Sequence, residues 1–150
     1  MKRLAAHGLA LGLPAGWEGR IHRRPVTVAS EHTRAVVHLA NFALPERRDD
    51  FGGGVTPGMR SPDVFVALFE YGPESLGAPL FASKGVPRVS AGMFNSKRLQ
   101  RPLPGQVGCQ HFFTANGRPF CLYVVAGSRA HLPRIVADDN AVLADLDVGP

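Results

Sequence analysis

Cys109 and His111 stand two residues apart, so any strand that holds them puts both on one face. A thiol beside an imidazole can become a thiolate nucleophile. The surroundings argue against it, since Phe113 and Val124 make this an apolar hairpin, and a core cysteine with a packed histidine is the expected reading. Gly52, Gly53 and Gly54 offer backbone amides to a phosphate, but a phosphate loop runs into a helix, normally through Lys-Ser or Lys-Thr. Here Val55-Thr56-Pro57-Gly58 follows, which is further turn. The histidines at 7, 22, 32, 38, 111 and 131 show neither HxH nor HxxxH spacing, and there is no CxxC; a structural zinc site needs four ligands in closer order. Asp138, Asp139, Asp145 and Asp147 read as a solvated helix face and tail. The remaining carboxylates have no paired spacing, and no serine lies in a GxSxG elbow or SxxK motif. No catalytic residue, metal or cofactor is expected.

Asp50-Phe51-Gly52 spells the metal-binding triplet of protein kinases, without the glycine-rich loop, strand lysine or HRD loop that a kinase also needs. Function then has to sit on a surface. Arg23 and Arg24 beside Pro25, and Arg98 and Arg101 beside Pro102, are placed to make bidentate contacts with a partner's carboxylates. Trp17, the single tryptophan, either plugs one end of the core or touches a partner. The net charge is +5, but only Lys2, Lys84 and Lys97 among the 17 basic residues are lysines. That balance fits a GC-rich genome, and the charges are scattered with no basic stripe, which argues against nucleic-acid binding.

These residues need elements to position them. The 150 residues fit one domain, 1–150, and 45% hydrophobic with 19% charged residues is ordinary for a folded globular chain. Leu9, Leu11 and Leu13 alternate with small residues, which predicts a strand over 8–13 ending at Pro14. Val26 and Val28 suggest a brief strand, and 33–44 a long one. Residues 45–62 form a polar loop whose glycines 52–54 make it the most flexible stretch. Residues 63–71 are apolar on both faces, as in the middle of a sheet covered on both sides. Pro73 opens a short helical turn, and single turns are expected near 91–94 and 96–100. Asn116-Gly117 between two β-rich runs predicts a two-residue type I′ hairpin that pairs Phe113 with Phe120, His111 with Leu122 and Cys109 with Val124. Cys109 and Cys121 then face opposite ways and stay unbridged. Leu132, Ile135, Val136, Val142 and Leu143 predict a helix over 131–144, with a short edge strand over 145–148. The longest apolar run, 120–126, is far short of the ~20 residues that span a bilayer. His7, Gly8 and Gly12 interrupt the signal-peptide-like start, so with two thiols the expected place is the cytoplasm.

In order along the chain, Leu13-Pro14-Ala15-Gly16-Trp17, the double-faced strand 63–71, the Asn116-Gly117 turn and the closing Leu143-Ala144-Asp145-Leu146-Asp147-Val148 resemble the PsbP-like fold family. That family holds extrinsic photosystem II proteins, Ran-binding nuclear-import cousins and bacterial relatives acting as lipoproteins or effector chaperones. The resemblance implies a three-layer α/β/α sandwich around a mainly antiparallel sheet, and no catalytic residues. The expectation is a non-enzymatic protein-binding module of a bacterial cytoplasm: an adaptor, chaperone or accessory subunit. The alternative is a small-ligand binder or enzyme with a pocket between Trp17 and the Gly52–Gly54 loop.

Overall fold

Val64, Val66 and Leu68 alternate with Phe65, Ala67 and Phe69, and a strand apolar on both faces needs cover on both. The computed structural model describes residues 2–24 and 34–150. In chain order its elements are β1 (Lys2–Ala6), β2 (Leu9–Leu13), β3 (Glu18–Arg23), β4 (Ala35–Ala40), β5 (Val64–Glu70), β6 (Val107–Ala115), β7 (Arg118–Ala126), α1 (Leu132–Asp145) and β8 (Asp147–Val148). The double-faced strand is β5, and it is the middle strand of an antiparallel sheet ordered β3-β4-β5-β7-β6. A smaller antiparallel sheet runs β1-β2-β8. The strand suggested by Val26 and Val28 lies outside the described residues. No helix among the described residues is long and apolar enough to cross a membrane.

The hairpin forms as its dipeptide requires. Asn116 and Gly117 both take positive φ, 49° and 75°, and the register is Phe113 with Phe120, His111 with Leu122 and Cys109 with Val124. Cys109 and Cys121 are buried, free and on opposite faces. Burial pushes both thiols up to about 12, which leaves them inert. At the other end of the chain the predicted strand over 8–13 proves to be the second arm of a hairpin turning at His7-Gly8. Its first arm, Lys-Arg-Leu-Ala-Ala, is mostly exposed and has no β-branched or aromatic residue, so it forms because β2 offers it an edge.

One face of the large sheet carries Val37, Leu39, Val64, Val66, Leu68, Leu122 and Val124. Leu9, Leu11 and Leu13 of β2 and Leu132, Ile135, Val142 and Leu143 of α1 close over it, and Trp17 is buried among them. Arg118 ties the layers together. It forms a two-bond ion pair with Glu70 of β5 at 2.8 and 2.9 Å, and donates to the carbonyls of His7 and Gly149 at 3.1 and 3.2 Å. Burial alone would raise the Glu70 carboxyl, but Arg118 and the Ala35 N–H hold it below its usual range.

The opposite face carries His38, Ala40, Phe65, Ala67, Phe69, Cys121, Tyr123 and Val125. Leu44, Phe51 and Val55 from the long loop and Leu99 from the 96–99 turn cover much of it. Among the described residues the only α-helix lies on the first face, so the helical layer expected here is replaced by loop. The glycines of 45–62 serve that packing. The Asp49 N–H bonds Gly53 O at 2.9 Å and the Val55 N–H bonds Gly52 O at 2.9 Å. Gly52 has φ of 89°, and a Cβ there would stand 2.9 Å from the Phe65 ring, so the loop is wound against the sheet and position 52 has no room for a side chain.

Asp139 overturns the solvated-face reading of Asp138 and Asp139. It is 2% exposed, between Ile135 and Val142 on the buried stripe of α1, and neither carboxylate oxygen has a hydrogen-bond partner. It borders an internal cavity of about 20 Å³ walled by Leu11, Leu39, Leu68 and Leu122, enough for one water. Burial, and then the charge of Asp138, raises its pKa well above the carboxylate range. A raised folded-state pKa gives stability that is fully present at acid pH and lost as pH rises through it. Urea denaturation across pH should show Asp139→Leu more stable than the parent by about 1–3 kcal/mol near neutrality, with the parent's decline at higher pH absent. Equal stability of the two proteins at pH 8 would contradict a buried, unpartnered carboxyl.

Candidate functional site

Alternation along β3 puts Arg20 and His22 on the loop-covered face, with Arg24 just beyond the strand, while Arg23 points the other way. His38 of β4 lies directly across from Arg20 and is fully buried. Its ring is held at both nitrogens: Nε2 stands 2.8 Å from the Asp50 carbonyl, and Arg48 Nε donates to Nδ1 at 3.0 Å. This pair of partners requires the neutral ring with the proton on Nε2. Burial pushes the His38 pKa down to about 4, with Arg48 and His22 acting the same way and the Asp50 carbonyl opposing them. The His22 ring meets His38 edge-on at 5.3 Å. Arg48 continues to the Pro45 and Glu46 carbonyls at 2.6 and 3.3 Å, so one histidine and one arginine fasten residues 45–50 to the sheet.

The next residues of the loop reach outward. Asp50 Oδ2 pairs with Arg24 Nε at 3.1 Å, and the Arg24 guanidinium lies 4.9 Å from the centre of the Phe69 ring. Phe51 stacks on Phe69 at 5.3 Å and meets the Tyr123 ring edge-on at 5.7 Å. The aromatic row runs on from Phe69 to Tyr71 at 4.9 Å, and from Tyr71 to Phe81 at 5.2 Å and Phe112 at 6.2 Å. Phe51, Tyr71 and Phe112 are only half-buried. Beside them an open groove of about 340 Å³ is bounded by Asp49, Phe51, Gly53, Gln100, Arg101 and Tyr123.

The structure brings Arg24 and Arg101 to this one face, Arg24 paired with Asp50 and Arg101 lining a groove with Asp50 and Phe51. Arg23 is exposed and faces away, and Arg98 is exposed on the turn Ser96–Arg98 without lining the groove. Trp17 is buried, 9% exposed, as the core-plug reading expects. It packs on the helix side of the sheet while Phe51 and Val55 pack on the other, so among the described residues the sheet separates it from the glycine loop. Cys109 is fully buried, and His111 turns instead to Ser83 Oγ at 3.4 Å, so they form no nucleophile–base pair. Among the described residues no three His, Cys, Asp or Glu side chains are grouped to hold a metal. In the sequence His22 and His38 stand out only as metal-ligand candidates, and nothing there points to Arg48 or the aromatic row. Only Arg20-x-His22-x-Arg24, with its period of two, carried a local signal.

Comparison of the chain with protein-family models, characterised proteins and solved structures found no match.

The pKa of His38 lies below that of an unfolded histidine, so its contribution to stability is present above pH 6.5 and is lost as pH falls toward 4. Nitrogen NMR of the ring should report the neutral Nε2–H tautomer down to about pH 5, with acid unfolding accompanying its protonation. A ring that titrates near 6.5 with the fold intact would remove His38 as the loop's fastening.

Proposed function

We propose that this chain is a non-enzymatic protein-binding module, an adaptor, chaperone or accessory subunit, and that it binds through the loop-covered face of its large sheet. The observation that carries this reading is the row of half-buried aromatics, Phe51, Tyr71 and Phe112 around Phe69, with Arg24 and Arg101 at its edges. Aromatic and arginine side chains are the types that dominate protein interfaces, because they bury much area at little conformational cost and offer directed hydrogen bonds. The partner segment this suits is apolar with carboxylates at its margins, consistent with a chain of net charge +5. A PsbP-like origin would suit such an accessory role. It is supported by the order of an early strand, a double-faced strand, an Asn-Gly hairpin and a closing helix with its short strand. A cytoplasmic location belongs to the same proposal, resting on the sequence. The groove beside Arg101 favours a second reading as a small-ligand site, since about 340 Å³ falls at the low end of the range for such pockets.

Cross-linking in the native cell followed by quantitative mass spectrometry tests the first reading. Phe112→Ser combined with Arg101→Glu should reduce partner recovery about tenfold or more. Arg98→Glu should leave recovery unchanged, with stability altered by about 0.5 kcal/mol or less at such a surface site. The reverse pattern would move the interface off this face. A small molecule retained in native mass spectra, and lost in the Arg101 variant, would favour the second reading.

A further inference from the structure

Arg48 is a half-buried arginine whose hydrogen bonds all end on neutral acceptors: His38 Nδ1, Pro45 O and Glu46 O. Other arginines of the fold find carboxylates, as Arg24 does on Asp50, Arg118 on Glu70 and Arg3 on Asp145. Among the described residues no ion pair reaches Arg48. A charge taken partly out of water without a counter-charge is costly. Burial lowers the Arg48 pKa, Arg20 adds to the lowering, and Glu46 partly restores it.

Two more unmet groups surround the same spot. Arg20, across from His38, is exposed, and among the described residues it commits only Nη1, to its neighbour's carbonyl at 2.8 Å. His22, next along that face and edge-on to His38, has an enclosed Nδ1 with no hydrogen-bond partner among the described residues. Burial, Arg48 and His7 lower its pKa, and Asp50 opposes them. Among the described residues the nearby acids form no ion pair with Arg20 or Arg48. Asp50 Oδ2 is on Arg24, Glu18 Oε1 accepts from the Leu44 N–H at 3.0 Å, and Glu46 is exposed with no ion pair to either arginine.

We propose that Arg20 and Arg48, with His22 beside them, form a binding site for a phosphoryl dianion, either free phosphate or a phosphomonoester. The His38 ring and the Pro45 and Glu46 carbonyls hold Arg48 in place before any ligand arrives, and among the described residues Nη2 makes no hydrogen bond. The second guanidinium, Arg20, has Nε and Nη2 to give. Two guanidinium forks match the geometry of a phosphoryl group, whose charge of about −1.5 to −2 at pH 7 offsets both. A carboxylate supplies half that charge. The same anion reverses the electrostatic deficit at His22 and raises its pKa. This inference is independent of the protein-binding reading, because none of its residues belongs to the aromatic row or the Arg101 groove.

NMR titration of the full chain at constant ionic strength tests it, with inorganic phosphate, O-phosphoserine and acetate as probes. Phosphate should give saturable shifts centred on Arg20, His22 and the Arg48 side chain, raise the His22 pKa, and bind more tightly than acetate. Arg20→Gln, an exposed change, should weaken phosphate binding about tenfold or more, while Arg23→Gln should not. Arg48→Gln should do the same as Arg20→Gln, and the Phe65 and Phe69 signals report whether that variant keeps its fold. O-phosphoserine binding as phosphate does marks a site for the phosphoryl group alone, and tighter binding marks a site that also reads its carrier. Absence of saturable phosphate shifts, phosphate and acetate binding alike, or an unchanged affinity in Arg20→Gln would each overturn the proposal.

Discussion

The structure depends on one constraint: its central strand is apolar on both sides. Val64, Val66 and Leu68 look one way and Phe65, Ala67 and Phe69 the other, and β7 beside them repeats the pattern with Leu122 and Val124 against Tyr123 and Val125. Fully burying such side chains is worth roughly 1.5–3 kcal/mol each, so neither face can be left to water. The 14 residues of α1, with the β1-β2-β8 sheet, meet that demand on one side. The other side is covered by loop, and nearly every feature of possible function follows from that difference.

A loop has no repeating hydrogen bonds of its own, so it must be fixed residue by residue. His38 does this at the point where the loop first crosses the sheet, accepting from Arg48 and donating to Asp50 O. A buried neutral imidazole suits the task because its two nitrogens meet a donor and an acceptor at once. The arrangement also has an electrostatic consequence. It holds the Arg48 charge against the sheet edge beside Arg20 and His22, where among the described residues no ion pair reaches it and Glu46 offsets it only in part. Further along, the loop ends its cover short of Tyr71 and Phe112, and those rings stay half-exposed.

The two faces thus carry different imperfections. Under α1 the anomaly is Asp139, an acid with no hydrogen-bond partner among the described residues, beside a cavity that fits one water. It weakens the helix contact and lies out of reach of solvent. Under the loop Arg20, Arg48 and the rings of Phe51, Tyr71 and Phe112 keep some exposure, which is where an interaction can supply what the fold leaves missing. This asymmetry places the candidate surface on the loop side even though the larger apolar cluster is on the helix side.

Local chemistry was sufficient for several elements. Asn116-Gly117 dictates its turn and, through it, every pair from Cys109 to Val124, because a two-residue I′ loop leaves no freedom of register. The double-faced run marks β5 as a central strand, and the 3.6-residue stripe marks α1. That stripe also runs through position 139, so the burial of Asp139 was legible in its spacing, and the reading that it is solvated came from residue type alone. Other features had no local signal. Lys2–Ala6 is a strand only because β2 is beside it, and Trp17 and the glycine loop lie apart because the sheet stands between them. The meeting of His22, His38 and Arg48 joins two strands and a loop distant in sequence. The sequence by itself determined periodicity, turn type and which strand must be covered on both faces, since those depend on neighbours a few residues apart. Only the tertiary structure decided what covers each face and which charges are left without partners, because that depends on where distant segments come to rest on one another.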